Sequence, residues 1–133
     1  MHLRHSLAVW GIVACVVSGC DKQIPQTVVG TINTAAGPAS NIAVRLYPSF
    51  RTCEGQFLEG RTDASGRFSF FTESTRGGLS VVVQHLALCT EVAGKWQPLW
   101  SIVTGGGATR VVLNCQPQKN DEGENCESEF TYG

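Results

Sequence analysis

Short runs of alternating apolar and polar residues, separated by glycine-rich turns, recur from Val28 onward. Val28, Gly30 and Ile32 share one parity, Val29 and Thr31 the other. A turn cluster follows at Ala35-Ala36-Gly37-Pro38. Ile42, Val44 and Leu46 then alternate with Ala43 and Arg45, and Phe68 and Phe70 with Arg67 and Ser69. Leu79, Val81 and Val83 alternate with Ser80, Val82 and Gln84, and Val111 and Leu113 with Arg110, Val112 and Asn114. A period of two predicts half-buried strands whose apolar parity faces a core. By that rule Leu79, Val81 and Val83 are core positions, and His85 continues their face near the strand end. Trp96 to Val103 is a further extended stretch, which Pro98 confines to an edge or a bulge because it cannot donate to a ladder. No window carries a helical stripe of useful length. The pattern predicts an all-β fold, a small antiparallel β-sandwich of about seven strands.

One turn carries a local mechanism. In Thr62-Asp63-Ala64-Ser65-Gly66-Arg67-Phe68, the Asp63 carboxylate can accept from backbone N–H groups and Gly66 can supply a positive φ. Phe68 and Phe70 then enter the core from the outgoing strand.

The N-terminus reads as an address. Met1-His2-Leu3-Arg4-His5 is basic, Leu7 to Val17 is an apolar run, and Val17-Ser18-Gly19-Cys20 closes it. This is the layout of a signal peptide, and the run is shorter than the roughly 20 apolar residues of a membrane span. Val-Ser-Gly-Cys resembles the bacterial lipobox. The resemblance implies that Cys20 becomes the first residue of the mature chain and carries acyl chains that anchor it to a membrane. Asp21 resembles the signal that retains lipoproteins in the inner membrane, facing the periplasm, with the outer membrane as the alternative. The chain thus divides into a lipoprotein signal peptide at 1–19, a lipidated tether at 20–26, a sandwich at 27–115 and an acidic, partly ordered tail at 116–133. The tail is expected to be loosely ordered apart from Cys126.

Four cysteines remain after Cys15 and Cys20 are set aside: Cys53, Cys89, Cys115 and Cys126. An even count in an exported chain predicts two disulfides, and four cysteines allow three pairings. The pairing favoured here is Cys53–Cys89 with Cys115–Cys126, the second closing a short loop that pins the tail to the last strand. The rival is a zinc site. It is disfavoured because no Cys-x-x-Cys spacing occurs and His85 is the only histidine beyond the signal.

The strand Val29-Gly30-Thr31-Ile32, the turn Gly37-Pro38-Ala39, the strand Ile42-Ala43-Val44-Arg45-Leu46 and the Thr62-Asp63-Ala64-Ser65-Gly66-Arg67-Phe68 element together resemble the carboxypeptidase regulatory-like, or transthyretin-like, β-sandwich family. The resemblance covers roughly residues 27–115. It implies the architecture and says nothing about catalysis.

Charge and chemistry narrow the function classes. Ten Lys+Arg against eleven Asp+Glu give a formal charge of −1. A nucleic-acid binder would show a basic excess, so no nucleic-acid partner is expected. Fifteen glycines and one methionine argue against a helical bundle. His85 is read as a rim histidine, because no Gly-x-Ser-x-Gly elbow accompanies it. Gly105-Gly106-Gly107 lacks the Lys-Ser/Thr and helix of a phosphate loop and reads as a hairpin turn. Asp121, Glu122, Glu124, Glu127 and Glu129 form a solvated acidic tail. Calcium is the alternative there, but the spacing is not that of an EF-hand. Trp96, Trp100 and Phe57 could form an exposed platform, the two Trp at i and i+4 on one strand face, although core packing competes for them. The reading is a non-catalytic, membrane-anchored periplasmic lipoprotein without cofactor or metal. Its sandwich binds a periplasmic protein through the segments 48–56 and 86–95, in one form as an inhibitor or immunity protein. The alternatives are a structural accessory of an envelope secretion or transport complex, taking an added strand near Pro98, and a transthyretin-like small-molecule hydrolase.

Overall fold

The computed structural model describes residues 20–117 and 123–133. Residues 1–19, read above as a signal peptide, and the Asp121 and Glu122 carboxylates lie outside the described residues. Nine strands and no helix occur among the described residues: β1 (Lys22–Thr34), β2 (Gly37–Pro38), β3 (Ala43–Tyr47), β4 (Leu58–Arg61), β5 (Arg67–Arg76), β6 (Val83–Val92), β7 (Lys95–Gly105), β8 (Ala108–Cys115) and β9 (Cys126–Tyr132). They form a two-sheet sandwich. In the first sheet β1 lies between β5 and β8, with β9 beyond β8 and β2 folded back on the end of β1. The second sheet has the order β4-β3-β6-β7.

The core forms where the two inner faces meet. Val28, Ile32, Phe68, Phe70, Val111 and Leu113 of the first sheet pack against Val44, Leu46, Leu86, Leu88, Leu99 and Trp100 of the second. Gly30 sits on the inner parity of β1 directly opposite Phe68. A Cβ there would lie 2.6 Å from the Phe68 ring and would also meet the Leu113 carbonyl. Glycine at this point lets the ring lie flat over the strand, as aromatic residues do over sheet glycines.

Several sequence expectations change. The sandwich is not wholly antiparallel, since β1 and β8 pair in parallel. The chain crosses to the second sheet and back twice between them, which gives a parallel pair the long connection it needs. Residues 22–26, read as tether, belong to β1 and pair with Thr72 to Arg76 of β5. The polar composition of that stretch concealed a strand whose Gln26 is buried. The acidic tail contributes a full strand, β9, because Cys126 starts a ladder with β8 that runs to Tyr132. Segment 86–95 is not a long loop but most of β6 and its turn.

The parity read for residues 79–84 is reversed. Leu79 and Val81 are almost fully exposed in a turn, and Val83 is half exposed. Gln84, not Val83, shares the inner parity with Leu86 and Leu88. A polar network makes this possible. The Gln26 and Gln84 side-chain amides each donate to the other's oxygen, at 3.0 and 2.8 Å. Gln26 Nε2 also donates to the Ala108 carbonyl, Ser74 Oγ donates to Gln84 Oε1, and the Gly107 N–H donates to Ser74 Oγ. Every polar atom of this inter-sheet clamp has a partner, so its burial carries little penalty.

The strand directions define two ends. The start of β1, the turn 77–82, the turn at 106–107 and the end of β9 share one end. The turns at 35–36, 62–66 and 93–94 share the other.

Candidate binding face

The outer face of the second sheet carries its own small cluster. β3 presents Ala43, Arg45 and Tyr47 outward, and β6 presents Ala87 and Cys89. The loop 48–57 leaves β3 and folds back over this face. It is held at two points. Cys53 is disulfide-bonded to Cys89, closing a sequence separation of 36. The Arg51 N–H donates to Ser101 Oγ at 2.7 Å, and Ser101 Oγ donates onward to the Leu86 carbonyl. Arg51 sits at φ 63, a left-handed conformation uncommon for residues other than glycine. Tyr47, Ala87 and Cys89 are buried beneath the loop, with Cys53 and Trp96 packed at the margin.

Arg45 is the centre of the cluster. Its guanidinium carbon lies over two rings, 4.0 Å from the Phe57 centroid and 3.9 Å from that of Trp96, within cation–π range of both. Nε donates to Glu59 Oε1 at 2.8 Å and Nη1 donates to the Tyr47 hydroxyl at 3.3 Å. The Glu59 hydrogen bond, then that to Tyr47, hold the Arg45 pKa above its ordinary value, so the charge is permanent. Tyr47 also touches Phe57, with centroids 5.3 Å apart. Further along the loop, the Arg51 guanidinium covers the exposed Phe50 ring. The result is a patch of Arg, Trp, Tyr and Phe pinned by a disulfide.

Phe57 and Trp96 meet here, but Trp100 does not join them. It is buried in the core on the opposite face of β7. A β-bulge explains the split. Leu88 pairs with Trp100 and the next residue, Cys89, pairs with Pro98, so Leu99 is the extra residue. One inserted residue flips the parity, so positions four apart face opposite sides. Pro98 marks the bulge in the sequence, but the parity change it imposes was missed. Arg45, Tyr47 and Phe50 were missed as well. Arg45 and Tyr47 lie on the polar side of a core strand, and nothing local says that a distant loop covers them.

The other singled-out residues are placed as follows. Asp63 Oδ1 accepts from the Ser65 and Arg67 N–H groups at 2.8 and 3.0 Å, and Gly66 sits at φ 76. The second disulfide joins Cys115 to Cys126 across β8 and β9. His85 is exposed on the outer parity of β6, at the mouth of a cleft of about 440 Å³ between β5 and β6 that Ser74, Gln84 and Leu86 also line. Near Pro98 the β7 edge is occupied, because the Leu99 carbonyl accepts the Asn125 N–H at 2.9 Å. Among the described residues no group of three His, Cys, Asp or Glu side chains is placed to hold a metal ion. No described helix is long and apolar enough to cross a membrane.

No family model matches this chain, and no curated protein matches it.

Proposed function

We propose that this chain is a non-catalytic, lipid-anchored periplasmic lipoprotein whose sandwich is a protein-binding module. The observation that carries the reading is the Arg45 guanidinium within 4.0 Å of both the Phe57 and Trp96 ring centroids, beside a loop that Cys53–Cys89 pins down. Arg, Trp and Tyr supply most hot-spot energy at protein interfaces, and aromatic residues are enriched there. A loop already held by a disulfide loses little further freedom on binding. The left-handed Arg51 is strain placed in the same loop. An inhibitor or immunity role is the specific form we favour, since such proteins act by presenting a rigid surface. The tight Asp63–Gly66 turn feeding Phe68 and Phe70 inward supports the carboxypeptidase regulatory-like assignment of the sandwich. Val17-Ser18-Gly19-Cys20 supports acylation at Cys20, and Asp21 supports retention at the inner membrane.

The test is a pull-down from envelope extract of the source cells with the membrane-extracted protein, beside the Phe50→Ala/Phe57→Ala variant. One stoichiometric protein that the variant fails to retain is the expected result. Equal recovery by both proteins would remove this face from the function. Several subunits of one assembly would favour the accessory role instead.

A further inference from the structure

The turn between β5 and β6 carries Leu79 and Val81, exposed at 88 and 93%, and Val83, the first residue of β6, is 51% exposed. Exposed loop tips are ordinarily polar, and clustered apolar side chains on one mark a contact surface. Half-exposed Tyr132 and partly exposed Val103 lie at the same end of the sandwich. So does the start of β1. The Asp21 carboxylate accepts the Gly78 N–H at 3.1 Å, which ties the residue after Cys20 to the residue before Leu79. One step into the strands, Lys22 and Arg76 are direct cross-strand neighbours.

From these placements we infer that the sandwich stands on the lipid bilayer by this end, with Leu79 and Val81 of the 77–82 turn and the adjoining Val83 in the headgroup and acyl boundary. The inference rests on Cys20 carrying acyl chains. Acylation puts Cys20 at headgroup level. Two residues of extended chain span at most about 7 Å, so the Asp21–Gly78 bond leaves the turn no route away from the surface. The side chains fit that position. Leucine and valines suit the acyl boundary, and a tyrosine with an apolar ring and a polar hydroxyl suits the interface. Two cations side by side repel. Arg76 also donates to the Gly133 carbonyl oxygen. Lys22 makes no ion pair among the described residues, and anionic lipid phosphates would supply a counter-charge. A bilayer supplies both chemistries in one plane and is already tied to this end through Cys20. The 93–94 turn beside Trp96 is at the far end, whereas β3 runs toward the bilayer end and Phe57 lines a cleft shared with Thr75 and Val83.

The test places p-benzoylphenylalanine at position 79 or 81 of the full-length chain, or at Ala64 in the turn of the opposite end. Each protein is processed in cells, extracted in detergent, returned to vesicles of phosphatidylethanolamine and phosphatidylglycerol, and irradiated. Intact mass first reports whether Cys20 is acylated. Lipid adducts at 79 and 81, and none at 64, are the expected result. An acylated chain that gives no lipid adduct at 79 or 81, or adducts only with a second copy or another protein, overturns the inference and leaves the anchor standing. A mature chain without acyl mass overturns the anchor, and the inference with it. Positions 79 and 81 are exposed, so an unchanged melting temperature in each protein confirms that folding is not being read.

Discussion

The Arg45 guanidinium reaches across β6 from β3 to stack on the Trp96 indole of β7, its central carbon 3.9 Å from the ring centroid. The same carbon lies 4.0 Å from the Phe57 ring centroid. The contact ties three strands and a loop into one surface. Arg45→Ala should lower the melting temperature by a few degrees and weaken partner binding about tenfold, the usual size of a modest hot spot. Arg45→Lys should rescue little, because an ammonium group lacks the planar guanidinium that stacks on aromatic rings. Thermal melts and partner titrations of both variants check this. Full rescue by lysine would mean that charge alone matters.

The loop 48–57 depends on its cross-link. Cys53→Ser/Cys89→Ser removes a closure of 36 residues. Such closures are typically worth about 2–4 kcal/mol. Chemical denaturation should report a loss in that range. Hydrogen exchange should show the amides of 50–57 losing protection while β1 and β8 keep theirs. Arg51→Gly, by contrast, relieves a left-handed residue and should leave stability unchanged or slightly raised while partner binding falls.

Gly66 has two reasons to be glycine. Its φ is 76, and a Cβ there would stand 2.5 Å from the Ile32 carbonyl oxygen. Gly66→Val should cost about 3 kcal/mol, from a branched residue in a disfavoured region together with the clash. Urea midpoints measure it. An unchanged midpoint would contradict the turn geometry.

The Asp63 carboxylate accepts from the Arg67 and Ser65 N–H groups. The Arg67 bond is the larger cause that holds its pKa below the ordinary aspartate value, and partial desolvation opposes it. A folded pKa below the unfolded one adds stability that is fully present above the unfolded value, about 3.9. That stability is lost as pH falls through the lowered folded value. Acid melts of the wild type and Asp63→Asn should therefore converge at low pH and separate above it. A constant gap across the acid range would mean that the carboxylate charge plays no part.

The Gln26–Gln84 clamp should show strong coupling. Gln26→Leu or Gln84→Leu alone strands a buried amide, at a cost of about 1–3 kcal/mol. The double leucine variant should recover much of that, giving a non-additive cycle. Additive losses would mean that the two amides act independently.

The all-β class, the Asp63–Gly66 turn and the inward Phe68 and Phe70 were legible in the sequence, because each depends on residues close together in the chain. What was hidden depends on partners far away. Gln84 takes a core position that parity would give to Val83, because Gln26, 58 residues earlier, completes its hydrogen bonds. Trp96 and Trp100 part company because one bulge residue shifts the ladder against β6. Phe57 was legible as a candidate platform residue, in competition with core packing. Its stacking on Arg45 was not, because a disulfide folds the loop over a strand face that carries no mark of being covered.

The most direct measurement is photo-crosslinking in living source cells with p-benzoylphenylalanine at Phe57, compared with the same group at Ser69 on the outer face of the first sheet. A single protein adduct from position 57, and none from 69, is the expected result. No protein adduct from 57, or the same adduct from both faces, would contradict a binding module built around Arg45, Phe57 and Trp96.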